Sequence, residues 1–124
     1  TLNERYGRPL RPPEVSSLYT LLNGQPYLTR LALYTLANYG LDFATLDRIS
    51  ADEQGPFISH LRYLHQLVES DLALKAAMKE ILSRQSCRDE VVRHRLQKAG
   101  LVQQTGTAVL PRCELYGRFF SHHL

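Results

Sequence analysis

No run of the 124 residues approaches the ~18 uninterrupted apolar residues that a membrane-spanning helix requires, so neither a span nor a membrane partner is expected. No basic segment followed by an apolar stretch opens the chain, which leaves no visible secretory leader and points to the cytoplasm. The two cysteines, Cys87 and Cys113, have no CxxC spacing and no histidine at metal-ligand spacing. They read as free thiols of a reducing compartment, with a single disulfide as the alternative. Catalytic signatures are missing too. There is no GxxxxGK[ST] phosphate loop, no HExxH, no GxSxG and no GxGxxG after a strand. His60 and His65 stand about 140° apart round a helix, which keeps them from sharing a metal. His122 and His123 read as solvated, and Asp52-Glu53 as an acidic turn. No catalytic residue, no metal ligand and no enzyme activity are expected of this stretch.

What is present is an ordinary globular composition, 44% hydrophobic and 22% charged. The net charge of +3 is uneven. Residues 1–62 hold six basic and six acidic side chains, whereas residues 63–124 hold nine basic and six acidic, which hints at an acidic partner for the second half. The chain opens at Thr1 without a methionine and reads as a piece excised from something longer.

The periodicity predicts a mainly α protein. Leu2–Tyr6 reads as a helix end closed by Gly7, and Arg8–Pro13 as a stiff extended connector. Glu14 then sits in the first turn of a helix burying Val15, Leu18, Tyr19 and Leu22. Asn23-Gly24-Gln25-Pro26 stops that helix and starts the next, which Gly40 ends. Its Leu28, Leu31, Ala32, Thr35, Leu36 and Tyr39 form one face, while Tyr27, Leu33 and Tyr34 make the other apolar. That pattern predicts a central helix buried nearly all round. Asp42 is expected to cap a short helix through Ile49, with Phe43, Leu46 and Ile49 inward. A polar loop Ser50–Gly55 follows, then a helix from Pro56 to Val68 on Phe57, Leu61, Leu64 and Val68.

Ser70 is the expected cap of a helix over Asp71–Leu82, which buries Leu74, Ala77, Met78 and Ile81. Another helix spans Ser86–Ala99, ended by Gly100. The period then changes to two, predicting a hairpin of Leu101–Gln104 and Ala108–Leu110 about a Thr105-Gly106 turn, with Pro111 as its stop. A last helix covers Glu114–His122, on Leu115, Tyr116, Phe119 and Phe120. Helix, helix, hairpin, helix is the order of a winged-helix domain, with Arg88–Ala99 in the place of the recognition helix. Val92, Leu96 and Ala99 would face inward. Arg88, Arg93, Gln97 and Lys98 are then the candidate nucleic-acid contacts of an alternative function, DNA binding. Against that alternative, Glu90 lies mid-face and the wing, Gln103–Thr107, carries no Lys or Arg.

Asn23-Gly24-Gln25-Pro26-Tyr27-Leu28, followed by Leu31-Ala32-Leu33-Tyr34, resembles the G-G-x-P-Y-L…L-A-L-Y segment of bacterial AAA-like ATPase domains. Those domains look related to the STAND signalling ATPases, the class that includes NLR-type sensors. Gly100-Leu101-Val102, a hairpin and Pro111-Arg112-Cys113-Glu114-Leu115-Tyr116 resemble the end of the same family. The resemblance implies a helical lid bundle over residues 1–68 and a winged helix over 69–124. The P-loop ATPase core would precede them in the same chain. ATP or ADP with Mg²⁺ is then implied for the full-length protein, and no cofactor for this part alone. It further implies that Gly24, Pro26 and Tyr27 lie near the adenine, with Arg30 reaching toward phosphate. The implied role is regulatory and non-catalytic, with the winged helix relaying a switch or meeting a protein partner or a second copy.

Overall fold

Among residues 10–124, which the computed structural model describes, seven helices and one two-stranded antiparallel hairpin follow in order. The chain is mainly α with one short hairpin, as its periodicity predicts. The expected helix end at Leu2–Gly7 and the start of the connector lie outside the described residues. Two compact units divide the chain, Thr1–Ser59 and His60–Leu124.

In the first unit, helix α1 spans Pro12–Leu22. The connector stops at Arg11, because Pro12 and Pro13 fill the first helical positions, where no intrahelical N–H is needed. The Arg11 N–H donates to Glu14 Oε1 at 2.9 Å, and this bond with the Arg11 side chain holds the Glu14 carboxyl below its usual range. Leu18, Leu21 and Leu22 form the buried face. Val15 and Tyr19, expected inward, point to water instead, since the leucine triplet already completes the apolar contact.

Helix α2 (Pro26–Tyr39) buries Leu28, Ala32, Leu33, Thr35 and Leu36 and packs against α1 and α3 (Phe43–Ile49). It is not enclosed all round. Tyr27, Tyr34 and Tyr39 are 51%, 47% and 69% exposed. A hydrophobic pattern scores tyrosine with leucine, but the phenol hydroxyl lets that ring face water at little cost. Asp42 caps α3 as expected, accepting from Thr45 N at 2.8 Å, and the Thr45 hydroxyl together with this N–H depresses its pKa. Ser50–Gly55 is a chain of tight turns, with Asp52 N–H on Ile49 O and Gly55 N–H on Asp52 O, both at 3.0 Å. Pro56 and Phe57 still belong to these turns, so α4 runs Ile58–Glu69, two residues later than predicted, and from His60 onward it belongs to the second unit. Phe57, Leu61, Leu64 and Val68 are buried, as the spacing predicts.

In the second unit, α5 spans Leu72–Arg84 and is capped by Asp71 rather than Ser70. The Asp71 carboxylate accepts from Ala73 N at 2.9 Å and from Arg95 Nη2 at 3.0 Å, whereas the Ser70 hydroxyl turns back onto Leu67 O. A carboxylate serves the helix dipole and the guanidinium together, which a hydroxyl cannot do. Helix α6 spans Glu90–Lys98, shorter than predicted, because Asp89 accepts from Val91 N and Val92 N and sets its start. Val92 and Leu96 are buried, but Ala99 sits exposed at the helix end.

Strands β1 (Val102–Thr105) and β2 (Ala108–Pro111) pair Val102 with Pro111 and Thr105 with Ala108. The turn is therefore Gly106-Thr107, one residue later than expected, and Pro111 ends the ladder from within it. Val109 N–H donates to Gln85 O and Arg112 N–H to Leu101 O, each at 2.8 Å, fastening the hairpin to α5 and to its own base. Helix α7 (Glu114–His123) buries Leu115, Tyr116, Phe119 and Phe120, and α5 packs against α6, β2 and α7. Both cysteines are free, and burial pushes the Cys113 thiol up to about 11.

Candidate functional site

The turn between α1 and α2 carries two consecutive left-handed residues, Asn23 at φ 51° and Gly24 at φ 69°. Asparagine and glycine are the types that occupy this region most readily. Asn23 N–H closes α1 on Tyr19 O at 2.6 Å, and the Gln25 side chain caps α2 by accepting from Leu28 N at 2.6 Å. Pro26 then opens α2 at a position that needs no donor.

A β-carbon on Gly24 would lie 2.9 Å from Cε2 of Tyr19, so the ring that Gly24 admits at close range is Tyr19 of the same chain. The sequence pattern does not single out this contact. Its one signal is an aromatic residue five positions before a helix-ending glycine. Pro26, Tyr27 and Arg30 all face solvent on the first turns of α2. Spacings of three and four residues put them on neighbouring positions of one side of the helix. The structure thus gathers Gly24, Pro26, Tyr27 and Arg30 at one helix start, offering a flat apolar edge, a phenol ring and a guanidinium.

Of the residues of the nucleic-acid alternative, Arg93, Gln97 and Lys98 lie on α6 and Arg88 does not. Arg88 lies ahead of α6, with its N–H on Glu80 Oε1 at 3.0 Å and its Nε 3.4 Å from Glu80 Oε2. Arg93 is half-buried, with Nε shielded from water. Gln97 reaches Gln104 of the hairpin at 3.5 Å, and Lys98 is exposed at the last turn. Exposed Glu90, His94 and Lys98 share one line along the helix, so that face is mixed in charge.

A family model described as an AAA-like domain matches residues 1–122. The chain belongs to the AAA-like domain family, which is ATPase-related. No curated protein and no solved structure matches it. Among the described residues of this AAA-like domain, no helix is long and apolar enough to cross a membrane. Nor do three His, Cys, Asp or Glu side chains gather there as a metal site.

The histidines of the AAA-like domain have separate partners. His60 Nε2 lies 2.9 Å from the Tyr116 hydroxyl, joining α4 to α7 across 56 positions of sequence. Burial pushes the Tyr116 pKa well above the usual range, so the phenol keeps its proton. His65 Nε2 lies 2.9 Å from His123 O and 3.5 Å from Glu69 Oε1. His123, expected to be solvated, bonds Phe119 O at 2.8 Å and stacks on the Phe119 ring at 4.2 Å. A helix-terminal histidine gains both contacts because the residue four positions earlier lies on the same face and is aromatic.

Burial also holds the His60 pKa below 6.5. The unfolded chain therefore takes up the proton first as pH falls. This contribution to stability is complete above about pH 6.5 and is lost as pH falls through the lower folded value. Denaturation midpoints measured from about pH 7.5 to 5.0 are expected to fall less in His60→Gln than in the parent, because glutamine keeps a polar partner for Tyr116 without titrating. Parallel curves for the two proteins would rule out this role for His60.

Proposed function

We propose that this AAA-like domain is the regulatory lid and winged helix of a STAND-type switch ATPase. Residues 1–68 act as the lid and 69–124 as the winged helix, with a P-loop core preceding them in the same chain. The observation that supports this most is the α1–α2 turn: two left-handed residues followed by Pro26 and an exposed Tyr27 at the start of a helix. Such a turn presents a rigid, apolar backbone edge. A planar base fits that edge, since no bulky side chain projects from residues 24 to 26 except the capping Gln25, which is already turned onto Leu28 N.

In this proposal Pro26 and Tyr27 border the adenine and Arg30 extends toward phosphate, while Gly24 holds the turn and accommodates Tyr19. Bound ATP would supply the charge and the γ-phosphate whose loss distinguishes the two states; Mg²⁺ belongs to the core. The lid residues orient the nucleotide and exclude water from one side of it. Unequal contact of the lid with ATP and ADP then shifts the winged helix between packed and released positions. The engagement of Arg88 with Glu80 and the partial burial of Arg93 support a protein-facing role for the winged helix over a DNA-reading one.

The test is Pro26→Ala in a chain that carries the P-loop core. Loss of one apolar contact of about 1 kcal/mol predicts roughly fivefold weaker ATP binding by calorimetry. Unchanged affinity would remove the adenine assignment. Duplex DNA at low salt is expected not to bind. Binding that weakens steeply as salt rises would favour the nucleic-acid alternative.

A further inference from the structure

A cleft of about 300 Å³ opens on the first unit between α2, α3 and the turns that follow α3. Its walls are Leu31, Tyr34, Tyr39, Leu41, Ile49 and Pro56. The volume lies at the lower end for ligand pockets, which suits one anchoring side chain better than a cofactor. The Thr35 hydroxyl in its wall already donates to Leu31 O at 2.8 Å, which leaves the Tyr34 and Tyr39 phenols and the Gln54 amide as its polar side chains. At the mouth, the exposed Tyr34 and Tyr39 rings meet edge to face, with centroids 6.4 Å apart and planes at 71°. Exposed aromatic faces of this kind attract cations.

The surrounding charge is predominantly negative. Residues 31–59 carry Asp42, Asp47, Asp52 and Glu53 against Arg48 alone, a net of −3 in a chain whose total is +3. These acids flank the cleft in sequence: Asp42 follows Leu41, and Asp52 and Glu53 precede Gln54, another lining residue. Glu14 on α1 lies near enough to Asp42 for the two carboxylates to repel, but its charge is matched by Arg11 at 3.4 Å. Arg48 interacts with Asp42, but Asp52 and Glu53 have no such neighbour among the ion pairs of the described residues.

We propose that this cleft docks a short cationic peptide segment of a partner protein through one apolar anchor, such as leucine or proline, flanked by Lys or Arg. The anchor fills the space between Leu41, Ile49 and Pro56, and the flanking cations lie over the tyrosines and against the acidic turns. Apolar burial supplies the hold, and charge complementarity supplies selection and steering. The inference is independent of the nucleotide proposal, because it uses neither Pro26 nor Arg30.

The test is fluorescence anisotropy with a labelled peptide Arg-Lys-Leu-Pro-Leu-Lys-Arg and its counterpart with glutamate at every cationic position. The cationic peptide is expected to bind the 124-residue chain. Its affinity should fall about tenfold in Tyr34→Ala/Tyr39→Ala and several-fold in Asp52→Asn/Glu53→Gln, as loss of an apolar anchor site and of rim charge predict. All four side chains are exposed, so circular dichroism should stay at parent level. The glutamate peptide is expected not to bind. Absence of binding, or binding that the variants leave unchanged, would overturn the proposal. Two other outcomes would also overturn it, by naming another occupant. Self-association in sedimentation that Tyr34→Ala/Tyr39→Ala abolishes would assign the cleft to a second copy. Loss of peptide binding in a chain carrying the P-loop core would assign it to that core.

Discussion

Gly55→Ala is expected to destabilise the first unit by about 3 kcal/mol or more, a large fraction of the stability of an ordinary domain. Gly55 is buried in the turns after α3, and a β-carbon there would overlap the Ile49 carbonyl oxygen and lie 3.2 Å from Asp52 O. Both obstacles are backbone, so no side-chain rotation relieves them. Moving them apart breaks the Asp52 N–H bond to Ile49 O and the Gly55 N–H bond to Asp52 O, which define the turn. The neighbouring residues Gln54 and Pro56 line the cleft, so peptide docking should weaken as the turn is displaced. Gly40→Ala is the control. Its φ of 66° is left-handed, yet nothing lies within 4 Å of the added carbon, so only the conformational cost of about 1 kcal/mol applies. Urea denaturation of both variants reads the difference. Equal losses would mean that the turn yields and that close packing is not what selects glycine at 55.

Phe120→Ala is expected to cost about 3–5 kcal/mol and to lower the melting temperature by roughly 10–20 °C. Phe120 is completely buried on α7, meets Phe119 edge to face at 5.4 Å and lies 6.4 Å from the His65 ring. Removing the ring loses its transfer from water and leaves a cavity that the surrounding helices close only in part. Leu72→Ala supplies the contrast. Leu72 is 83% exposed at the start of α5, so truncating it should change stability by no more than about 0.5 kcal/mol. Thermal melts that failed to separate the two variants would contradict the core assignment of α7.

Much of the candidate site is legible in the sequence. Asn-Gly-Gln-Pro announces a helix stop and restart through backbone preferences that act locally, and those residues adopt the conformations that their types favour. What the sequence hides is the object beside Gly24. That a glycine is needed follows from its φ, but that the Tyr19 ring fills the space does not. The cleft is equally invisible to a local pattern. It joins residues from Leu31 to Pro56 and depends on the tyrosines of α2 facing outward, where an apolar count places them inside.

By itself the sequence determined the succession of elements, the inward lines Leu61-Leu64-Val68 and Leu74-Ala77-Met78-Ile81, the Asp42 cap and the hairpin. These rest on helical or strand period and on capping chemistry, interactions spanning only a few residues. Tertiary structure alone decided the rest: that Asp71 rather than Ser70 caps α5 because Arg95 arrives from α6, and that His60 meets Tyr116. Each is settled by a partner far away in sequence, and a local pattern carries no information about which distant side chain will be there to compete for a charge or a hydrogen bond.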